Sequence, residues 1–373
     1  MALSKRFLAL DVFRGMTVCF MIIVNTPGNG ATSFSPLNHA AWHGFTPTDL
    51  VFPSFLFAVG NAISFVMAKW AQQSQAQVLW KILKRTFIIF LLGFLMYWFP
   101  FFRQDDSGHW VLAPFSDTRV MGVLQRIALC YGIGSLLVYY FKPRTAVIIC
   151  IGFLFLYWGL LYWFGDPGAE LTMAGNAGRR FDMWLLGYKH LYHHDKIVFD
   201  PEGVLSTLPA VGNVVAGFVV GRFVQEKGKT YEGLAKLLLA GAALMAAAYF
   251  WDLVFPINKK LWTSSFVLYT VGLDCAILAA VIYVIEFLQK TRWTYFFEVF
   301  GKNTLFIYLL SELLVITLFM IPAGPESLFH WIYQHLFRWT GDYLGSFLFA
   351  IAYMLVCWTV GYVLDKRKIY IRV

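Results

Sequence analysis

A loop between two apolar runs of this chain concentrates residues that carry protons and stabilise charge: MIIVNTPGNGATSFSPLNHAAWHGFTPTDLVFPSFLF, residues 21–57. It holds His39 and His43, Asn29 and Asn38, and Asp49, with Asn25 where the first apolar run gives out, and it contains no Lys or Arg. An imidazole titrates near neutral pH and can take a proton from an attacking group. A carboxamide N–H can stabilise an oxyanion, and a histidine can also accept an acyl group itself. The loop therefore has the parts to move an acyl group from a thioester to an amine. Direct attack and an acyl-histidine path both stay open. A lone loop histidine is most often a polar loop residue, which is the reading of His109, His330, His335, His190, His193 and His194. The last three cluster, but their spacing suits a tetrahedral site poorly, so no metal is expected. His39 differs in its company: Asn25 is close in sequence, Trp42 can wall a pocket, and Pro47 and Pro53 bracket the start of the next apolar run.

The elements that position these residues are set by lipid. Of 373 residues, 59% are hydrophobic and 14% charged, against about 45–50% and about 25% in soluble domains. The expected fold is an all-α polytopic membrane protein, a single transmembrane domain over 1–373. Runs long enough to cross a bilayer fall near 7–25, 50–68, 86–101, 119–140, 145–164, 204–223, 233–252, 264–287, 300–321 and 343–364. That is roughly ten helices by length. The first run is interrupted by Asp11 and Arg14 and has no A-x-A site after it, so it is read as an uncleaved span. The net charge of +9 does not mark a nucleic-acid binder. Lys and Arg lie mostly in short loops, from Lys5 and Arg6 to Lys366, Arg367, Lys368 and Arg372. If ten spans alternate, these loops share one side and both termini are cytoplasmic. Arg179, Arg180, Lys189 and Lys196 fall on the other side, in the 165–203 loop, the best candidate for a folded external cap. The five cysteines lie in or beside apolar runs without a CxxC pair and read as free core thiols. The aromatic content of the lipid-facing surface is compatible with a homodimer.

Ionisable groups inside spans face a cavity or a partner. Asp11 and Arg14 are neighbours on one helix face, either a self-neutralising pair or an anion site. Gln125 and Arg126 sit too deep to snorkel, and Arg126 keeps its charge when buried. It needs a ligand or an internal partner, for which Glu312 is a candidate. Lys302 and Asn303 lie near the expected cytoplasmic end of their span. Asp274 also lies inside a span, and the sequence alone does not identify its partner.

Seven stretches keep their order along the chain: LDVFRG at 10–15, VN at 24–25, HAAWHGFTPTDLVFPSF at 39–55, GVLQR at 122–126, DPEGVLSTL at 200–208, NKKLW at 258–262 and GKNTLFIY at 301–308. In these the chain resembles the heparan-α-glucosaminide N-acetyltransferases and their bacterial NagX-like relatives. The resemblance implies a multi-pass protein of the bacterial inner membrane. It would move acetyl from cytoplasmic acetyl-CoA to the amine of a glucosamine-like sugar on the periplasmic side. His39 matches the family's catalytic histidine, Asn25 its active-site asparagine, and Arg126 an arginine important for function. Arg14, Gln125, Arg126, Lys302 and Asn303 are expected to hold the donor. Trp42, Asp49, Glu202 and Asn258 are expected to meet the acceptor. The large extramembrane domain of the lysosomal enzyme does not precede the first span, so a small amino sugar or cell-wall fragment is expected over a polymeric glycan. The alternative is an amino-sugar transporter without acyl-transfer chemistry.

Overall fold

Apolar segments in lipid must satisfy their own backbone, and a helix does so within one segment. The computed structural model describes residues 7–105, 107–193 and 197–371; Lys5, Arg6, His194, Lys196 and Arg372 lie outside them. The helices are α1 (Leu8–Asn25), α2 (Pro47–Trp70), α3 (Gln75–Trp98), α4 (Val123–Tyr140), α5 (Pro143–Phe164), α6 (Ala177–Leu185), α7 (Thr207–Lys227), α8 (Tyr231–Asp252), α9 (Ser264–Ile282), α10 (Thr294–Lys302), α11 (Thr304–Met320), α12 (Leu328–Ile332) and α13 (Asp342–Lys366). Two short antiparallel ribbons accompany them: β1 (Phe102–Gln104) with β2 (Trp110–Leu112), and β3 (Pro322–Ala323) with β4 (Glu326–Ser327). Among the described residues, eight helices are long and apolar enough to cross a membrane, and α10 with α11, bent by 83°, make a ninth if taken together. The chain is an all-α, multi-pass membrane protein.

Each of the ten expected runs carries a helix, with two differences. Helix α3 begins at Gln75, well before position 86, because Ser74 and Gln77 form a capping box. It therefore includes Lys81, Lys84 and Arg85 and is not among the eight. The run at 300–321 is not one rod but an elbow broken at Asn303. All five cysteines are free and buried.

The chain divides into two compact units: residues up to 41 with 45–55 and 277–372, and residues 42–44 with 56–276. In the first, α1 packs on α10, and α13 lies beside α1, α10 and α11. A Cβ at Gly15 would run into the Phe297 carbonyl, so only glycine permits this approach of α1 to α10. Tyr353 of α13 donates to the Ser311 carbonyl at 2.6 Å, and Trp358 donates to the Phe296 carbonyl at 2.9 Å.

In the second unit, α7 packs against α4, α5 and α8. It also meets the later turns of α2 through reciprocal glycines. A Cβ on Gly217 would strike the Phe57 carbonyl, and one on Gly60 the Val214 carbonyl. Small residues let membrane helices approach this closely. Both obstacles are backbone and cannot rotate away. Gly217→Ala is expected to lose about 1–3 kcal/mol through overpacking, read as a fall in thermal midpoint in detergent. Gly152→Ala on α5, where a Cβ meets open space, should hold or raise the midpoint. Equal behaviour of the two variants would contradict the close crossing.

Candidate active site

The sequence Thr46-Pro47-Thr48-Asp49 opens α2 with proline at its first position, where the missing N–H costs nothing. Asp49 turns its carboxylate back onto the preceding loop. Its Oδ2 accepts from the backbone N–H of Thr46 at 3.0 Å and of Ala40 at 3.1 Å, and lies 3.1 Å from the Thr46 hydroxyl. Its Oδ1 is 2.7 Å from His39 Nδ1. The Asp49 side chain is 1% exposed and that of His39 43%. A carboxylate so surrounded by donors is an acceptor toward the imidazole. Nδ1 therefore carries the hydrogen and Nε2 the lone pair. The loop folds on itself around this pair: Thr46 Oγ1 donates to Asn38 O at 2.7 Å, Asn38 Nδ2 to Ser33 O at 3.2 Å and Thr48 Oγ1 to Pro36 O at 3.0 Å. Asn25, the last residue of α1, places its Nδ2 3.5 Å from Glu312 Oε1 on α11, at the long limit of a hydrogen bond.

Three of the five expected donor-binding residues meet at the α10–α11 elbow in the same unit. Arg14 Nη2 donates to the Gly301 carbonyl at 2.7 Å and pairs with Asp11 at 2.9 Å, placing a cation at the negative end of α10. Lys302 Nζ is 2.9 Å from the Asp365 carboxylate and 5.3 Å from the centre of the Tyr295 ring. Asn303 donates to the Ile369 carbonyl at 3.0 Å and accepts from Ile371 N–H at 2.8 Å, clasping the segment after α13. Lys366 adds an ammonium over the Tyr362 ring at 5.2 Å. From this elbow α1 runs from Arg14 to Asn25, about 16 Å, and α11 from Asn303 to Glu312, about 13 Å. The cationic elbow and the Asn25–Glu312 pair thus mark two levels of the same helices.

Gln125 and Arg126 lie in the second unit, both fully buried. Gln125 faces Gly93 of α3, and neither of its amide atoms has a protein partner among the described residues. Arg126 Nη2 donates to the Gly203 carbonyl at 2.9 Å and to the Ser206 hydroxyl, with its guanidinium 4.8 Å from the Trp262 ring centre. Its Nε and Nη1 are buried without a hydrogen-bond partner among the described residues. These contacts, and that of Glu312 with Asn25, stand where the sequence admitted an Arg126–Glu312 pair.

Glu202, expected at the acceptor, is 2.6 Å from Arg119 Nη2. Arg119 grips Asp200 with two further bonds, at 3.0 and 2.7 Å, between the rings of Tyr97 and Tyr192. Burial alone would raise the Glu202 carboxyl, but Arg119, Arg126 and Lys259 outweigh it and hold the group below its ordinary value. Asp182 on α6 accepts from Val204 N–H at 2.9 Å, and burial pushes its carboxyl up to about 7. One peptide group, Gly203–Val204, is thus held by Arg126 at its carbonyl and by Asp182 at its N–H. Asn258 is buried in the turn before α9, and Trp42 donates its indole N–H to the Leu171 carbonyl at 2.8 Å.

Sequence reasoning did not single out Arg119, Asp182 or the pairing of Asp49. The first two have no local signal, since Arg119 and Asp200 are 81 residues apart. The third does: T-x-x-D before an apolar run is a helix-start pattern in which the acid reaches back toward the loop.

No family model matches the chain. It is similar to the heparan-alpha-glucosaminide N-acetyltransferase of Homo sapiens, 27% identical over 372 residues, covering 83% of this chain and 53% of that protein. The Mus musculus protein of the same name is likewise 27% identical over 372 residues, with 83% and 54% covered. The chain spans about half the length of the curated relatives it matches.

Proposed function

We propose that this chain, a member by sequence of the heparan-alpha-glucosaminide N-acetyltransferase family, moves acetyl across a bacterial inner membrane. The donor is cytoplasmic acetyl-CoA. The acceptor is the amine of a small glucosamine-like sugar at the periplasmic face. The observation that carries the reading is the His39–Asp49 pair, a loop imidazole whose Nδ1 is fixed by a buried carboxylate and whose Nε2 is left with its lone pair. The convergence of Arg14, Lys302 and Asn303 on one elbow supports a donor whose phosphates lie toward the cytoplasmic end and whose thioester lies toward Asn25. Asp49 then acts through His39 as a positioning residue rather than on the acceptor directly.

In this scheme His39 Nε2 takes a proton from the amine as its nitrogen bonds to the thioester carbon. Asn25 Nδ2 donates to the oxygen that gains charge. As the carbon–sulfur bond breaks, the imidazolium returns the proton to the leaving thiolate, so the enzyme ends as it began. The test uses the full chain in sealed vesicles with acetyl-CoA on one side and glucosamine on the other. N-Acetylglucosamine is expected to form on the side opposite the donor. Unmodified glucosamine accumulating inside without acetyl-CoA would instead support transport without chemistry.

A further inference from the structure

His43 is the histidine of the HAAWHG block that the scheme leaves without a part, and its surroundings give it a defined protonation state. It sits in the second unit, where the Gly44 backbone N–H donates to the Ile257 carbonyl at 2.8 Å. Gly44 has φ +107°, a conformation that glycine adopts without strain. These features bring His43 Nδ1 to 3.3 Å from Asn258 Nδ2. The orientation of that amide is settled by its other end: Asn258 Oδ1 accepts from Leu261 N–H at 2.8 Å. Asn258 itself is fully buried, with Thr263 Oγ1 accepting from its backbone N–H at 3.0 Å. The atom facing the imidazole is therefore NH₂, a donor. Nδ1 must accept, and the single ring hydrogen of neutral His43 must be on Nε2. This is the opposite tautomer to that of His39, four residues earlier.

We infer that His43 is a specificity-determining residue for the acceptor, donating from Nε2–H to a ring hydroxyl of a pyranose amino sugar beside Trp42. The inference rests on the acetyltransferase reading for the identity of that sugar. His43 is exposed, while Trp42 is half-buried and fixed by its bond to Leu171 and its edge contact with Phe199 at 5.6 Å. A neutral donor suits a hydroxyl next to an amine better than a cation would, because a cation would repel the ammonium form of the same sugar. Burial holds the His43 imidazole below its ordinary value, with Asp252 at the end of α8 opposing, which keeps the ring neutral at pH 7. Asp252 is a charged group acting on His43, and its Oδ1 accepts from Ile257 N–H at 2.6 Å.

The test measures glucosamine binding to the full chain by calorimetry without donor, and acetyl transfer separately. His43→Phe keeps a ring and removes the donor. It is expected to weaken glucosamine binding about tenfold, the worth of one hydrogen bond. It should raise KM for glucosamine to match, while leaving KM for acetyl-CoA alone. Cyclohexylamine, an amine without ring hydroxyls, should not distinguish wild type from His43→Phe. In Asn258→Asp a carboxylate faces Nδ1, so Nδ1 must donate and the ring becomes cationic more readily. The neutral ring then has no Nε2–H to give, so glucosamine affinity above neutral pH should fall about as far as in His43→Phe, and His43→Phe in that background should cost nothing further. Equal glucosamine affinity in wild type and His43→Phe, or no glucosamine binding by wild type, overturns the inference. Binding that obeys these rules without any acetyl transfer upholds the subsite and overturns the acetyltransferase reading.

Discussion

Replacing His39 by Ala is expected to lower kcat for acetyl transfer about 10²–10⁴-fold, the usual contribution of a positioned general base, with little change in thermal midpoint. The more searching variant is Asp49→Asn. Two backbone N–H groups, of Ala40 and Thr46, converge on Asp49 Oδ2, with the Thr46 hydroxyl 3.1 Å away. An asparagine has one acceptor oxygen and will place it there, since the opposite flip sets an NH₂ against those donors. Its NH₂ then faces His39 Nδ1 at the place where Oδ1 stood 2.7 Å away. Nδ1 is forced to accept, the ring hydrogen moves to Nε2, and the lone pair needed for proton abstraction is gone. Asp49→Asn should thus lose nearly as much kcat as His39→Ala while folding almost normally, and the two losses should not add, because they remove one function. Both are read from steady-state transfer to glucosamine with circular dichroism and thermal midpoints as controls. Wild-type kcat in His39→Ala would remove the imidazole from the chemistry. Full activity in Asp49→Asn would show that the tautomer does not matter.

What the amino-acid sequence makes legible here follows from the range over which each force acts. Lipid imposes its demand on every residue of a span, so the helices emerge from local hydropathy. Where a helix extends past the apolar run, the signal fails: the first half of α3 carries Lys81, Lys84 and Arg85 and reads as loop, although Ser74 and Gln77 cap it. The break at Asn303 is hidden for the opposite reason. Hydropathy runs on through 300–321, and what ends α10 is tertiary: Arg14 caps the Gly301 carbonyl, and the Asn303 side chain bonds Ile369 and Ile371 in place of continuing the helix. The candidate residues show the same division. His39, Asn25 and Arg126 stand out by type, position and motif. Which way Asp49 points depends on donors from two sides of a folded loop, and composition carries no trace of them. Arg119, at the edge of the run read at 119–140, gives no sign of its partners until the 200–206 segment brings Asp200 and Glu202 to it. Asn258, one polar residue in NKKLW, sets the tautomer of a histidine 215 residues away.

Asp182 shows how such a long-range arrangement should register in solution. It is 2% exposed, and Gly203 offers no Cβ where the carboxyl packs. Burial pushes its carboxyl from 3.8 up to about 7, helped by Asp200 and opposed by the Val204 N–H and Arg126. The folded-state value is thus raised above the unfolded one. Between about pH 4 and pH 7 the folded protein holds a proton that the unfolded chain releases, so stability falls as pH rises through that window and levels off above it. At most about 4 kcal/mol is involved, from roughly three units at about 1.4 kcal/mol each. Asp182→Asn keeps an acceptor for Val204 N–H and cannot ionise. Relative to wild type it should therefore gain stability between pH 5 and pH 8, even if a constant offset from the altered bond to the loop makes it weaker at pH 5. Thermal midpoints of both proteins in detergent across that range give the comparison. Midpoints whose difference is the same at pH 5 and pH 8 would mean that Asp182 is already ionised in the folded protein at pH 5. Arg126 and the Val204 and Leu205 N–H groups would then dominate burial, and the Gly203–Val204 peptide would be held between full opposite charges rather than between a cation and a neutral acid.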